Sequence, residues 1–233
     1  TTVVVQNRPP AANFSWTPQP PREGDTVRFR NASTDPDGDP LTHEWHIRDA
    51  NGALLHASAD VHPSFRFLEP GHYLVTLRVS DGLDRAETTR TVQVLPLTLE
   101  ADVGHAPEWL AHHEARGHRT AEAPKQFYSG ELILLYARHD EAPWERITAK
   151  LETTGADGRP LAVETSLVPS GTPGLAVGEL YDERFSSIDR GLPRGIHHVA
   201  FTIRYANGME KTAVVPFEII GHALETVQVH RVR

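Results

Sequence analysis

Alternation of apolar and polar residues is the dominant pattern of the chain. It is clear at Thr26–Arg30, Tyr73–Val79 and Thr89–Leu95, where every second residue is apolar. This period of two predicts antiparallel strands with one buried face. Turn-forming pairs separate the runs at short intervals, and they are Pro20-Pro21, Asp35-Pro36, Asn51-Gly52, Pro70-Gly71 and Asp81-Gly82. About seven short strands in some 95 residues indicate a β-sandwich.

The pair Asn51-Gly52 is the strongest hairpin signal in this first part. It lies between two strand-like segments, 45–49 and 53–57. Two-residue hairpin turns of this composition usually place both central residues at positive φ. The sequence therefore predicts a tight hairpin with Asn51 and Gly52 both in the left-handed region.

The pattern changes after Leu95-Pro96, and strands are predicted again further on. They are expected at 97–102, 131–138, 147–153, 161–167, 197–205, 212–220 and 225–232. One segment, 107–117, has a helical composition and predicts a short helix or helical loop. We expect an all-β protein of two tandem Ig-like antiparallel sandwiches. The predicted divisions are a β-prone segment 1–6, a first sandwich 7–96 and a second, Ig-like or fibronectin-III-like sandwich 97–233.

Composition narrows the class of function. The chain has 233 residues, a formal charge of −8 and no cysteine. The negative charge argues against nucleic-acid binding through phosphate neutralisation. The absence of cysteine excludes disulfides, thiolate metal sites and thiol nucleophiles. No apolar run approaches about 20 residues, so no membrane span is expected. No signal peptide is expected either, and the start at Thr1 is read as a mature end left after export or as an arbitrary boundary.

Residues 7–95 resemble the PKD domain, an Ig-like extracellular module. The resemblance is carried by Glu23-Gly-Asp-Thr-Val-Arg-Phe29, by Ser33-Thr-Asp-Pro-Asp-Gly-Asp-Pro-Leu-Thr-His-Glu-Trp45 and by Phe67-Leu-Glu-Pro-Gly-His-Tyr-Leu-Val-Thr-Leu-Arg-Val-Ser-Asp-Gly82. The turn after Trp45 departs from the usual family pattern. The resemblance implies an extracellular, non-catalytic spacer or adhesion module.

Two aromatic residues of this segment have expected structural roles. Trp45 lies in the middle of a predicted strand and is expected to fill the core between the two sheets. Tyr73 follows Pro70-Gly71 at the start of an alternating strand, where a tyrosine corner is expected.

The acidic turn Asp35–Asp39 is a candidate calcium site. Calcium prefers six to eight oxygen ligands, and three carboxylates lie within five residues here. The spacing does not match an EF-hand. The PKD resemblance implies a Ca²⁺ site where this loop meets two other parts of the chain. One is the segment around Asn7 that leads into the sandwich, here called the chain entrance, and the other is the turn Ser80-Asp81-Gly82. The candidate ligands it gives are Asn7, Asp35, Asp37, Asp39 and Asp81. The alternative is a solvated turn whose carboxylates cap backbone amides.

A histidine-rich segment is a second candidate metal site. His105, His112, His113 and His118 lie around Trp109. The spacing of His113 and His118 does not place both imidazoles on one helix face, as a zinc protease motif requires. A polar edge segment is therefore the favoured interpretation. No nucleophile elbow, phosphate loop or spaced carboxylate pair is found, so no enzyme activity is predicted.

Aromatic side chains offer a further class of site, because they stack on sugars. The candidates are Trp16, Trp109, Trp144 and Tyr128. Such residues are more often core or interdomain contacts.

The chain ends suggest how copies could assemble. Thr2, Val3, Val4, Val5 and Gln6 form a β-prone segment before the first sandwich, and 226–233 alternates to the last residue. Such a segment pairs within its own sandwich or adds to a neighbour's sheet. Head-to-tail addition would give a filament. We therefore predict a secreted, non-catalytic structural or adhesion protein, a subunit of a bacterial surface filament or layer whose partners are further copies of itself. The alternative is an ancillary module of a larger secreted hydrolase, which binds polysaccharide or a collagen-like matrix polymer.

Overall fold

The computed structural model describes residues 6–105, 126–129, 131–140, 142–155, 157–180 and 191–222. Within these ranges every regular element is a β-strand, which agrees with the all-β prediction. No helix long and apolar enough to cross a membrane occurs in this part of the chain. The helical segment expected at 107–117 and the strand expected at 225–232 lie outside the described residues. Contacts divide the chain into two compact units, Thr1–Leu97 and Thr98–Arg233.

The first unit contains seven strands in two sheets. They are β1 (Phe14–Thr17), β2 (Thr26–Asn31), β3 (Thr42–Arg48), β4 (Leu54–Ser58), β5 (Ser64–Arg66), β6 (Gly71–Ser80) and β7 (Arg85–Val94). One sheet has the order β1-β2-β5 and the other β4-β3-β6-β7. All strand pairs within the two sheets are antiparallel.

The core of the first unit lies between these sheets. Strand β6 shows the pattern most fully, because it presents every second residue inward, at Tyr73, Val75, Leu77 and Val79. Trp45 is 1% exposed, and its ring lies 5.1 Å from that of Phe14 on the opposite sheet. The period-two pattern and the core position of Trp45 are thus confirmed. Burial of these apolar side chains is the main stabilising term of the unit.

The hairpin between β3 and β4 differs from the sequence prediction. Gly52 has a φ of +85°, but no non-glycine residue of the described chain has positive φ, so the prediction for Asn51 was wrong. Asp49 explains the difference. Its carboxylate accepts the N–H groups of Asn51 and Ala53 at 2.9 and 2.8 Å. The turn is therefore wider, and only its last residue needs the left-handed conformation.

The second unit contains eight described strands. They are β8 (Leu99–His105), β9 (Gln126–Ser129), β10 (Ile133–His139), β11 (Trp144–Thr154), β12 (Pro160–Pro169), β13 (Leu175–Leu180), β14 (Gly195–Tyr205) and β15 (Glu210–His222). They form one hydrogen-bonded sheet with the order β8-β10-β13-β12-β11-β14-β15-β9. The sequence pattern did not predict β9 or β13, which are short.

This sheet folds over on itself at β12. Residues 160–167 of β12 pair with β11, whereas Val168 and Pro169 pair with β13. The strand thus passes from one half of the sheet to the other. Strands β8 and β15 contact each other although five strands separate them in the sheet order. The two halves therefore face each other as the layers of a sandwich.

The inner faces of the two halves form the second core. Ile133, Leu135, Phe201 and Phe217 are at most 2% exposed. One strand pair departs from the predicted antiparallel arrangement, because β9 runs parallel to β15. Parallel neighbours need a long connection, and β9 and β15 are far apart in sequence.

Candidate functional site

The acidic loop after β2 is organised by the carboxylate of Asp35. Its Oδ1 accepts the backbone N–H groups of Asp37 and Asp39, at 2.8 and 3.1 Å. This is the local bonding by which aspartate stabilises a turn. The other oxygen, Oδ2, is buried and has no hydrogen-bond partner. An unpaired buried carboxylate oxygen is energetically unfavourable, so the loop retains one unused acceptor.

Arg8 binds Asp37 in the same loop. Its backbone N–H donates to Asp37 Oδ2 at 2.8 Å, and its guanidinium donates to Oδ1 from Nε at 2.8 Å and from Nη2 at 2.7 Å. The guanidinium also donates to the carbonyl of Pro36 at 2.6 Å. These hydrogen bonds from Arg8 lower the pKa of Asp37 from its ordinary value. The chain entrance is thereby fastened to the loop.

Asn7 binds the turn after β6 in a similar way. Its Nδ2 donates to Asp81 Oδ2 at 3.0 Å and to Asp84 Oδ2 at 2.7 Å. Asp81 Oδ1 accepts two further backbone N–H groups, from Leu83 and Asp84, both at 2.7 Å. The hydrogen bond from Asn7 is the main cause that lowers the pKa of Asp81, and these backbone donors add to it.

The structure brings the candidate calcium ligands together in two neighbouring groups. Asn7 meets Asp81, and Arg8 joins Asp37 to the loop that Asp35 organises. Asp39 contributes its backbone N–H. The described residues contain no group of three acidic or histidine side chains that could hold a metal ion. Carboxylate and amide oxygens are ligands that calcium prefers. The carboxylate oxygens of Asp37 and Asp81, however, accept hydrogen bonds from N–H groups of the same chain, so the arrangement is not a formed metal centre.

Sequence reasoning missed two members of this cluster, Arg8 and Asp84. Arg8 follows a candidate ligand directly, and Asp84 lies three residues after Asp81. Their proximity in sequence was a signal, but nothing in the sequence indicated that an arginine would occupy the side of the acidic loop.

Tyr73 forms the expected tyrosine corner, and Trp45 is fixed by a hydrogen bond. Tyr73 Oη donates to the carbonyl of Glu69 at 2.8 Å, and burial raises the pKa of this phenol. Trp45 Nε1 donates to the carbonyl of Asp60 at 2.9 Å. Both residues therefore hold the fold, as predicted.

The four aromatic residues considered as candidates for stacking on sugars lie in different environments. Trp16 packs against the first core, and its buried Nε1 has no partner. Trp144 makes an edge contact with His139, with ring centroids 5.6 Å apart. Tyr128 lies in β9, and Trp109 lies outside the described residues. Trp16 therefore serves mainly in packing, because much of its ring is covered.

Of the four histidines of the histidine-rich segment, His105 lies within the described residues. Its Nδ1 contacts Glu131 Oε1, whose side chain is 0% exposed, and its ring stacks 4.5 Å from that of Phe127. The other oxygen of Glu131 accepts the N–H of Tyr128 at 3.0 Å. His105 thus pairs with a buried carboxylate, and together with its contact to Phe127 this holds the end of β8 near β9. The remaining three histidines of the cluster lie outside the described residues.

Most of the predicted donor segment lies outside the described residues as well. Of Thr2, Val3, Val4, Val5 and Gln6, the structure describes Gln6, which is exposed and belongs to no strand.

A surface that the sequence did not indicate lies on the outer face of β8, β10 and β13. Tyr136 is the central residue of this surface, paired with Asp102 on β8 and Val177 on β13. The ring is partly exposed and reaches across to Gly104 on β8. We name this the β8–β10–β13 face; its members are Glu100, Asp102, Gly104, Leu134, Tyr136, Arg138, Leu175, Val177 and Glu179.

The first unit has the features of an Ig-like sandwich: two antiparallel sheets, a central tryptophan and a tyrosine corner. A family model described as the PKD domain matches residues 7–95. Over these residues the chain belongs to the PKD domain family, as the resemblance predicted.

Two solved PKD domains are similar to this part of the chain. The PKD1 domain of Vibrio anguillarum Epp is 32% identical, with 39% of this chain and 99% of that one covered and a TM-score of 0.32. The PKD1 domain of the Vibrio cholerae metalloprotease PrtV is 29% identical, with 38% and 99% covered and a TM-score of 0.31.

Several solved structures are similar over both units, and an adhesin is one example. A structure from a 1.5-MDa bacterial ice-binding adhesin covers 93% of this chain and 66% of its own, at 9% identity and a TM-score of 0.45. This similarity is too weak to carry an argument about the second unit. The curated proteins give no match.

Proposed function

We propose that the chain is an extracellular, non-catalytic module with a structural or adhesive role at a bacterial cell surface. The single observation that carries this proposal is the PKD domain at residues 7–95. The way this unit uses its polar side chains supports it: Arg8, Asn7 and Tyr73 all bind other parts of the same fold. Their chemistry is directed at holding shape.

We propose further that copies assemble when the segment 2–6 adds to a sheet edge of a neighbour. The edge strand β4 is the best acceptor among the described edges of the first unit. It presents Leu54 and Leu55, which are 50% and 45% exposed, whereas the opposite edge strand, β7, carries Arg85, Glu87 and Arg90. Charged edge strands resist strand addition and apolar edges favour it.

Light scattering coupled to size-exclusion chromatography tests this assembly. The chain should form oligomers that grow with concentration, and deletion of residues 1–6 should leave monomers. Leu55→Lys places a charge on the acceptor edge and should also give monomers, while Leu68→Lys, at a 60% exposed site outside β4, should still assemble. A chain that is monomeric at every concentration, or that assembles without residues 1–6, contradicts strand addition.

Calcium at the Asp35 loop is part of this proposal, with Asn7, Asp35, Asp37, Asp39 and Asp81 as the ligand set. The unpartnered Oδ2 of Asp35 supports it, because a hard cation would supply the missing partner. The ion would compete with Arg8 for Asp37 and would order the chain entrance without taking part in a reaction.

A second candidate function is that of an ancillary polysaccharide-binding module. The observation that favours it is the partly exposed ring of Tyr136 on the β8–β10–β13 face, beside carboxylate and guanidinium groups. Co-sedimentation of the chain with insoluble cellulose, chitin and mannan tests it. Retention on none of these polymers contradicts it.

A further inference from the structure

The β8–β10–β13 face is organised around one aromatic side chain. Tyr136 has Asp102 beside it on β8, and the next outward residue on β10, Arg138, has Glu100 beside it. On the other side, Val177 and Leu175 of β13 are partly exposed. Because outward residues of neighbouring strands lie side by side, these groups form a continuous surface with an aromatic centre.

Gly104 leaves the space into which this ring extends. A Cβ added at Gly104 would lie 2.9 Å from Cε2 of Tyr136 and 3.8 Å from each of Cδ2 and Cζ. Cδ2 and Cζ are the ring atoms bonded to Cε2, and both are equally far from the added Cβ. The edge of the ring therefore points at Gly104. The ring faces are not covered by Gly104, and any larger residue there would displace the ring.

A shallow open cavity lies against this ring. It has a volume of about 230 Å³ and is lined by Glu100, Ala101, Asp102, Tyr136 and Arg138. Concave sites that combine an aromatic surface with a few polar groups are typical of small-ligand recognition.

The polar groups of the cavity retain hydrogen-bonding capacity. Asp102 Oδ1 accepts the backbone N–H of Val103 at 2.9 Å, and Asp102 Oδ2 is left as an acceptor for a ligand. Within the described chain, neither the guanidinium of Arg138 nor the carboxylate of Glu100 makes a hydrogen bond or ion pair, although the two residues face each other across β8 and β10. Two acceptor groups and one multiple donor thus point to the same open space.

We infer that this cavity is a saccharide-binding subsite, in which Tyr136 stacks on one pyranose ring of a neutral polysaccharide while Glu100, Asp102 and Arg138 bind its hydroxyl groups. The inference deepens the second candidate function and rests on it. The C–H groups on one face of a pyranose ring carry partial positive charge and suit the negative face of a phenol ring. The open shape lets a polymer continue beyond the bound unit.

The charges at the site favour a neutral glycan over an acidic one. Two carboxylates and one guanidinium give the lining a net negative charge, which repels uronates and sulfated sugars. Hydroxyl groups, in contrast, donate to carboxylates and accept from a guanidinium without a charge of their own.

NMR titration of the full chain with cellohexaose, mannohexaose and chitohexaose tests the site directly. At least one of these neutral oligosaccharides should shift the amide signals of residues 100–104 and 136–138. Tyr136→Ala should weaken this binding by about tenfold or more. Tyr136→Phe keeps the ring and should retain most of it, and Ile196→Ala, which removes a 68% exposed apolar side chain elsewhere, should change nothing.

Gly104→Ala provides a variant that retains every binding group. It should weaken binding because the ring must move away from the added methyl group. Unchanged circular dichroism and thermal unfolding would show that each variant is folded.

The outcomes separate this inference from the function on which it rests. If the chain is retained on an insoluble polymer and Tyr136→Ala is retained equally well, the function stands and the subsite is wrong. If the chain is retained but the shifts fall on other residues, the subsite is again wrong. If no polymer retains the chain and no oligosaccharide shifts these signals, both are wrong. Shifts of the same signals on dilution alone would identify a contact between copies and would also overturn the subsite.

Discussion

Arg8 has the densest set of polar contacts of any residue at the chain entrance. Its main chain and its side chain both bind Asp37, and its guanidinium also reaches Pro36. A planar guanidinium can donate to a carboxylate and a carbonyl together, which a lysine cannot match in geometry. The position of the entrance segment on the loop is therefore set largely by one residue.

Arg8→Ala should lower the unfolding temperature of the first unit by a few degrees at neutral pH. Hydrogen bonds from Arg8 depress the pKa of Asp37 in the folded state. Stability from a group with a depressed pKa is fully present above its unfolded pKa, near 3.9 for aspartate, and is lost as the pH falls through the folded pKa. The difference between the two proteins should thus be largest above about pH 5 and should shrink below about pH 4.

Thermal unfolding by circular dichroism from pH 3 to pH 7 measures this difference. Arg30→Ala is the matched control, because it removes the same charge from an exposed residue of β2 that has no side-chain partner in the described chain. A difference that is constant with pH, or equal for the two variants, would show that the Asp37 contact contributes nothing specific.

At the scale of elements, the turns set which strands can pair. The β3–β4 hairpin ends at Gly52, and the β12–β13 connection ends at Gly174, both with positive φ. Their surroundings differ. An added Cβ at Gly52 would meet nothing within 4 Å, whereas at Gly174 it would lie 2.7 Å from the carbonyl oxygen of His139. An alanine at Gly52 would therefore meet only backbone strain, whereas an alanine at Gly174 would meet the same strain and a steric clash.

Gly52→Ala should cost about 1 kcal/mol, from the left-handed backbone alone. Gly174→Ala should cost more than about 2 kcal/mol, because the end of β10 must also move away from the methyl group. Chemical unfolding followed by NMR signals of each unit measures the two losses separately. Equal losses would mean that the close approach of Gly174 and His139 has no energetic consequence.

At the scale of the whole molecule, the two units use their cores in different ways. The first separates two sheets around Trp45, and the second folds one sheet over at β12. The acidic loop, and the residues Asn7 and Arg8 that bind it and the neighbouring turn, belong to the first unit alone. An ion bound at that loop should therefore stabilise one unit and leave the other unchanged.

Millimolar calcium should raise the unfolding temperature of the first unit relative to EDTA, because a ligand that binds the folded state stabilises it. The second unit should unfold at the same temperature in both conditions. Asp35→Asn should abolish the response, since it weakens the acceptor that has no internal partner. Identical unfolding in calcium and EDTA would show that Arg8 and Asn7 satisfy the cluster unaided and would exclude the proposed calcium site.

The sequence by itself determined the all-β class, most strand positions and the roles of Trp45 and Tyr73. These follow from local physics, because alternation along a strand fixes which side chains are buried, and turn residues fix where strands end. It also identified the PKD unit and the acidic loop. Short elements such as β9 and β13 escaped prediction, since four to six residues carry too little periodicity.

Tertiary structure alone decided which distant residues meet. Arg8 at the acidic loop, the fold of the second sheet at β12 and the ring of Tyr136 beside Gly104 each depend on strand register across segments far apart in sequence. Local alternation limits the register to shifts of two residues, because a shift of one would turn every side chain to the other face; for strands far apart in sequence, the packing of whole sheets selects among these shifts. The physical reason is that alternation specifies a face for each residue, whereas only the assembled sheet specifies its neighbour.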